Sequence, residues 1–271
     1  MNGPGGLRER LARGGRVVVL TGAGVSAESG VPTFRGEGGL WRQYRTEDLA
    51  TPEGFRRDPA LVWEWYDWRR QLIARCEPNP AHHAIAALER GCRDFLLITQ
   101  NVDGLHRKAG SQRLVELHGN LWRVRCPSEG TITERPEVPL RPIPPRCECG
   151  ELLRPDVVWF GESLPSDAMR EAFEAAGSCD VMLVVGTSAL VQPAASLPLV
   201  SQEHGAYVVE VNLEPTPLTA IADESHHGRA GEILPRLLGF PSELSGKFEI
   251  RNSKFEISPP IPNPRETPCS P

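Results

Sequence analysis

The chain has 271 residues, 39% hydrophobic and 24% charged, with a formal net charge of −5. That length suits one large domain, or one domain carrying an inserted lobe. The acidic balance argues against direct nucleic-acid binding, and no apolar run approaches the roughly 20 residues of a membrane helix.

Residues 1–16 are rich in Gly and Arg and lack the apolar core of a signal peptide. Seven cysteines, an odd count with no secretion signal, point to a reducing, cytoplasmic compartment. Residues 7–11 read as the first turns of a helix. The apolar stretch 17–20 then reads as a buried strand running into Gly22-Ala23-Gly24. A strand that stops at two glycines and turns into a helix start is a phosphate cradle. Gly22-x-Gly24-x-x-Ala27 fits the dinucleotide fingerprint with Ala in the last place. By itself this could also be a glycine-rich turn without a ligand. A plain dehydrogenase would continue into a second strand ending in an acid some 20 residues on. Glu47 and Asp48 lie at that distance but end no strand.

Residues 60–76 predict a helix opened by Asp58-Pro59, and residues 79–89 a second one stopped by Gly91. Residues 94–99 predict a buried strand that ends in the polar loop 100–106. Residues 113–119 predict a short strand ending at His118 and Gly119. Between 126 and 155 seven prolines crowd together, so the segment reads as a small lobe inserted at about 122–156. Residues 156–160 read as extended and 167–176 as a helix. Residues 181–185 and 207–211 are strands ending at Gly186-Thr187-Ser188 and Asn212. Alternating strands and helices imply an α/β, Rossmann-like, doubly wound parallel sheet within a domain spanning 1–238. Ligands bind beyond the carboxyl ends of such strands. Residues 239–271, with a doubled Lys-Phe-Glu-Ile and a Pro-rich end, read as a disordered tail.

Taken together, these stretches resemble the sirtuin family. The resemblance rests on residues 22–35, on Thr99-Gln100-Asn101-Val102-Asp103-Gly104-Leu105-His106 and on Leu117-His118-Gly119. It continues in Val158-Trp159-Phe160-Gly161-Glu162, Gly186-Thr187-Ser188 and Val211-Asn212. It implies NAD-dependent removal of acyl groups from protein lysines, with transfer of the acyl group to ADP-ribose and release of nicotinamide. The implied partners are acylated lysine side chains of proteins, met by a monomer. In the implied mechanism the acyl oxygen attacks C1′ of the nicotinamide ribose and nicotinamide leaves. His118 then draws a proton from the ribose diol, a task that suits imidazole.

The resemblance also implies roles. Asp103 would bond the nicotinamide carboxamide, Asn101 would orient the ribose or a water, and Gln100 would touch ribose. Gly22 and Ala23 would offer backbone to the pyrophosphate. Phe34 would shield the reactive carbon, and Arg35 would hold its loop and the phosphates. Thr187 and Ser188 would contact phosphate or adenosine, Asn212 the adenine-side ribose, and Ala230 the adenine. Gly24, Ser26, Ala27, Trp41 and Gly186 complete the implied NAD set. Val157, Phe160, Gly161 and Glu162 would pair with substrate backbone as an added strand. A transferase of ADP-ribose to protein and a non-catalytic NAD sensor are the rival readings.

Two further signals stand in the residues. Tyr66 and Arg69, three apart on a predicted helix, share one face and can clamp a carboxylate. The pair is similar to the Tyr-x-x-Arg of desuccinylase-type sirtuins, which implies succinyl-, malonyl- or glutaryl-lysine as substrates, with acetyl-lysine also possible. Cys126, Cys147 and Cys149 sit where the family carries two Cys-x-x-Cys pairs for a structural zinc. Here Glu129 replaces the second cysteine and the second pair is one residue short. Either zinc takes three thiolates and one carboxylate, or the zinc-ribbon-like lobe has lost its metal and is stiffened by its prolines.

Overall fold

The computed structural model describes residues 6–33, 40 and 45–240. Phe34, Arg35 and Trp41 lie outside the described residues, as does the expected tail beyond residue 240.

The chain opens with helix α1 (Leu7–Ala12), strand β1 (Arg16–Thr21) and a single turn of helix, α2 (Gly24–Ala27). Two short helices, α3 (Thr46–Leu49) and α4 (Pro52–Arg57), lead into α5 (Pro59–Ile73) and α6 (Pro80–Gly91). Asp58 accepts from Leu61 N–H at the start of α5, and Asn79 from Ala81 N–H at the start of α6. A proline stands at the first position of each, so the expected boundaries shift by only a few residues. Gly91 is the last residue of α6 rather than its stop.

Strand β2 (Asp94–Thr99), a turn of helix α7 (Leu105–Lys108) and β3 (Leu114–Glu116) follow. Then come β4 (Gly119–Arg125), β5 (Ile132–Glu134), β6 (Arg154–Val157) and α8 (Ser166–Ala176). The chain continues through β7 (Val181–Val185), α9 (Leu197–Glu203), β8 (Tyr207–Asn212), β9 (Glu224–His227) and α10 (Ala230–Leu237).

Six strands form one sheet in the order β3-β2-β1-β7-β8-β9, and every pairing is parallel. The centre is buried on both faces, which is why β1, β2 and β7 read as continuous apolar runs. Val17 and Val19 enter one core with α6 and α10, while Val18 and Leu20 enter the other with α8. Strand order reverses between β1 and β7, and the crevice of a doubly wound sheet opens beyond the carboxyl ends of such a pair.

The inserted lobe is a separate antiparallel sheet, β5-β4-β6. Helix α5 belongs with it: Trp63, Trp65, Tyr66 and Trp68 share one hydrophobic cluster with Leu121, Val124, Leu140, Leu153 and Trp159. The extended stretch expected at 156–160 stops at Val157. The chain then turns, with Glu162 N–H donating to the Trp159 carbonyl at 3.0 Å and Gly161 at a φ of 86°.

Candidate active site

A cleft of about 850 Å³ lies between the carboxyl ends of the parallel strands and the small lobe. Its floor is the glycine turn. Gly22 N–H donates to Val185 O at 3.1 Å, and Gly24 N–H to Gly186 O at 2.8 Å. A Cβ on Gly186 would lie 2.3 Å from the Val25 nitrogen, so the ends of β1 and β7 can touch only as glycines. This corrects the expected role of Gly22. Its amide, like that of Gly24, is spent on the fold, and the missing side chains serve strand approach. Gly119 is similar: a Cβ there would meet Asp156 O at 2.1 Å, so it admits strand β6 rather than a ligand.

Several other expected residues line the cleft. Gln100 donates from Nε2 to Thr187 Oγ1 at 3.0 Å, linking the ends of β2 and β7. His118, in the turn between β3 and β4, stands beside them with Nδ1 2.8 Å from the Gln100 carbonyl oxygen. Burial lowers the His118 pKa from its ordinary value, opposed by that backbone bond. Ala23, Ser188 and Asn212 also reach the wall.

Ser26, Ala27, Asp103 and Ala230 are not among the lining residues. Ser26 and Asp103 lie beneath, in a closed polar network. Asn79 N–H donates to His82 Nδ1 at 3.3 Å, so His82 carries its proton on Nε2 and offers it to Ser26 Oγ at 3.3 Å. Ser26 donates to Asp103 Oδ2 at 2.8 Å, and Leu105 N–H donates to Asp103 Oδ1 at 2.8 Å. Asn101 spends its Nδ2 on Gly22 O at 3.0 Å and Ser26 Oγ at 3.1 Å, so only its Oδ1 can face a ligand, as an acceptor. Burial raises the Asp103 pKa, against the Leu105 and Ser26 bonds and the nearby Arg69 charge. Burial drives His82 well down and His106 down to about 3, so both rings are neutral. Ala27 is exposed, and Ala230 is buried at the start of α10.

On the lobe side, Tyr66 and Arg69 both line the cleft although each is almost fully buried. Trp159 Nε1–H donates to the Tyr66 hydroxyl oxygen at 2.9 Å, which leaves the phenolic proton to donate onward. Burial raises the Tyr66 pKa and lowers that of Arg69; Arg69 is held up in part by Tyr66 and Asp103. Val157, Phe160, Gly161 and Glu162 also line the cleft. The backbone around them is largely engaged: Val158 N–H donates to His118 O and Phe160 N–H to Ala50 O, both at 2.9 Å. The Glu162 carboxylate accepts from Arg154 and, at 2.8 Å, from Trp159 N–H. The amides of Val158, Trp159 and Phe160 are thus taken, so strand-like pairing through these three residues uses their carbonyl oxygens.

An apolar wall of Ala50, Leu164, Met169, Val191 and Pro193 was not foreseen in the sequence. Val191 and Pro193 follow the strand-end motif by a few residues, a signal that could have found them; Ala50 carries no such signal.

At the far end of the lobe, Cys126, Glu129, Cys147 and Cys149 bring one donor atom each within 4.8 Å of one another. Cys126 Sγ lies 3.6 Å from Cys149 Sγ, and Cys147 Sγ 3.3 Å from Glu129 Oε2. A tetrahedral zinc with Zn–S of ~2.3 Å and Zn–O of ~2.0 Å needs edges of ~3.8 and ~3.5 Å. The donor set and its spacing fit zinc, and Glu129 takes the place left by the absent cysteine.

Comparison with known proteins follows the same lines. A family model described as the Sir2 family matches residues 22–193. The chain is 58% identical over 229 residues to NAD-dependent protein deacylase 2 of Pyrobaculum aerophilum, covering 84% of this chain and 92% of that protein. It is 54% identical over 231 residues to an NAD-dependent protein deacylase of Aquifex aeolicus, covering 85% and 97%. A crystal structure of a Sir2 homologue in complex with NAD superposes with a TM-score of 0.79 at 48% identity, covering 88% of this chain and 95% of that one. The chain belongs to the Sir2 family, the sirtuins.

Proposed function

We propose that this sirtuin is an NAD-dependent protein lysine deacylase that accepts succinyl, malonyl or glutaryl groups, and acetyl groups besides. One observation carries the acyl preference: Tyr66 and Arg69 are buried on the wall of the same cleft as His118 and the glycine turn. A guanidinium that reaches the wall of a ligand cleft presents a planar fork of donors that matches a carboxylate. The Arg69 fork and the Tyr66 proton together suit an acyl carboxylate.

NAD is a substrate here: its glycosidic bond to nicotinamide supplies the driving chemistry, and the ADP-ribose portion receives the acyl group. Gln100, Thr187, Ser188 and Asn212, at the ends of β2, β7 and β8, would hold the ribose and phosphate portions. Asn101 would accept a hydrogen bond through Oδ1. Asp103, one layer down, would act through Ser26 and the loop it braces. His118 Nδ1–H is fixed on the Gln100 carbonyl, so Nε2 is free to take a proton from a ribose hydroxyl. Phe160 and the carbonyls of its loop would guide the peptide. Cys126, Glu129, Cys147 and Cys149 would hold a zinc that ties the lobe and does no chemistry.

No helix of the described residues is long and apolar enough to cross a membrane. A cytoplasmic monomer acting on protein substrates completes the proposal. The rival transfer of ADP-ribose to protein would leave the Tyr66–Arg69 pair without work. Incubation of the protein with succinyl-lysine and acetyl-lysine peptides, with and without NAD, is the test. Nicotinamide and free lysine should appear together, only with NAD. Nicotinamide release with ADP-ribose fixed on protein would favour the transferase instead.

A further inference from the structure

Helix α5 carries two adjoining stripes. Tyr66 and Arg69 (i, i+3) face the cleft. Trp63, Asp67 and Arg70 (i, i+4, i+7) form a second stripe, and all three bond to the small lobe. Trp63 Nε1–H donates to Leu153 O at 2.8 Å. Asp67 Oδ1 accepts from Leu140 N–H at 2.7 Å, and its Oδ2 from Arg141 at 3.1 Å. Arg70, fully buried, donates to the carbonyls of Leu121 at 2.6 Å, of Glu137 at 2.9 Å, and of Arg135. These partners come from β4, from the proline-rich loop and from the segment before β6. The Tyr66 hydroxyl is held by Trp159, just past β6.

The packing repeats this division. The aromatic side of α5 shares its core with Leu121, Val124, Cys126, Leu140 and Leu153 of the lobe. The central sheet, whose strand ends carry the glycine turn and Gln100, is packed in two other cores.

We propose that Asp67 and Arg70 are positioning residues through which the small lobe sets the geometry of the Tyr66–Arg69 clamp. Acyl selectivity is thus governed by the lobe, separately from the NAD and proton-transfer machinery on the sheet. The inference rests on the acidic-acyl reading above. A two-point clamp must be held to within about 0.5 Å to engage a carboxylate. Asp67 and Arg70 each adjoin a clamp residue in the chain, so loosening their grip on the proline-rich loop turns or slides the helix that bears the clamp. An acetyl group has no carboxylate and does not register such a shift. Because the clamp touches a part of the substrate remote from the reacting atoms, its loss weakens ground state and transition state alike, and should appear in KM.

The test compares Asp67→Ala and Arg141→Ala with the unmodified protein and with Arg69→Met. KM and kcat are measured on succinyl- and acetyl-lysine peptides, with the KM for NAD. Asp67→Ala should raise the succinyl-peptide KM at least five-fold. The acetyl-peptide KM, the NAD KM and kcat should stay within two-fold. Arg141→Ala should move the same constant in the same direction by a smaller factor. Its side chain is 62% exposed, so it keeps the question answerable if Asp67→Ala does not fold. Equal losses on both peptides, or an unmoved succinyl KM, would overturn the inference while leaving the acidic-acyl reading in place. If Arg69→Met itself leaves desuccinylation unchanged, the acidic-acyl reading falls and this inference falls with it.

Discussion

The Gln100 carbonyl oxygen lies 2.8 Å from Nδ1 of His118. A carbonyl can only accept, so Nδ1 carries the hydrogen and Nε2 is the basic nitrogen of the ring. Burial holds the His118 pKa below its ordinary 6.5. The base is therefore neutral and competent at pH 7, and protonation at lower pH removes it. The acid limb of kcat/KM should be centred below pH 6.5 and should flatten above it. His118→Ala should cost about 10²- to 10⁴-fold in turnover, the usual worth of a general base. A pH–rate profile with its acid limb above 6.5 would contradict the assignment.

His82 and His106 lie side by side beneath the cleft, ring centroids 4.8 Å apart and planes tilted by 56°, both buried and both neutral. Their folded pKa values are lowered, so between the unfolded value near 6.5 and the folded values the unfolded chain binds the extra protons. Stability is then lost as pH falls below about 6.5, by about 1.4 kcal/mol per pH unit for each ring. Asp103 works in the opposite direction, its raised pKa favouring the folded state on acidification, but it is one group against these two rings and His118, whose pKa is lowered as well. Urea midpoints measured at pH 7, 6 and 5 should fall steadily. A flat series would mean that the imidazoles are hydrated in the folded state.

The central strands were legible because burial on both faces removes polar residues from them. Val181 to Val185 could hardly read otherwise. The cleft residues at strand ends were legible for a related reason, since small and polar residues stand out after apolar runs. The lobe was less so. Its prolines gave its place, but nothing local tells that Arg70 reaches three carbonyls some 50 to 70 residues away. The role of Gly22 was misjudged because the acceptor of its amide, Val185, lies on a strand about 160 residues downstream. The burial of Ser26 under Asn101 and His82 is likewise a product of tertiary contacts.

The thiol and carboxylate cluster makes a separate prediction. Purified protein should contain about one zinc per chain. Cobalt substitution should give a tetrahedral spectrum with thiolate charge-transfer bands. Cys149→Ser should lose the metal. Glu129→Ala should weaken its retention against a chelator while Glu129→Cys strengthens it, and melting temperature should follow occupancy because metal binding contributes to folding. Metal content near zero in protein purified without chelator would leave the prolines as the lobe's stiffening device.

Arg69→Met keeps the length and apolar stem of the side chain but removes the fork and the charge. A hydrogen bond to a charged group is worth about 1.5–3 kcal/mol, so loss of the fork should cost about 10- to 150-fold in kcat/KM on succinyl-lysine. Acetyl-lysine, which offers no carboxylate, should be turned over within a few-fold of the unmodified rate. Tyr66→Phe should cost less, about five-fold, since one neutral donor is lost. It also leaves the Trp159 indole without its acceptor, so a small drop in melting temperature should accompany it. The deciding quantity is the ratio of the two kcat/KM values. Parallel losses on both peptides would show that Arg69 supports the fold of the cleft rather than recognising the acyl group.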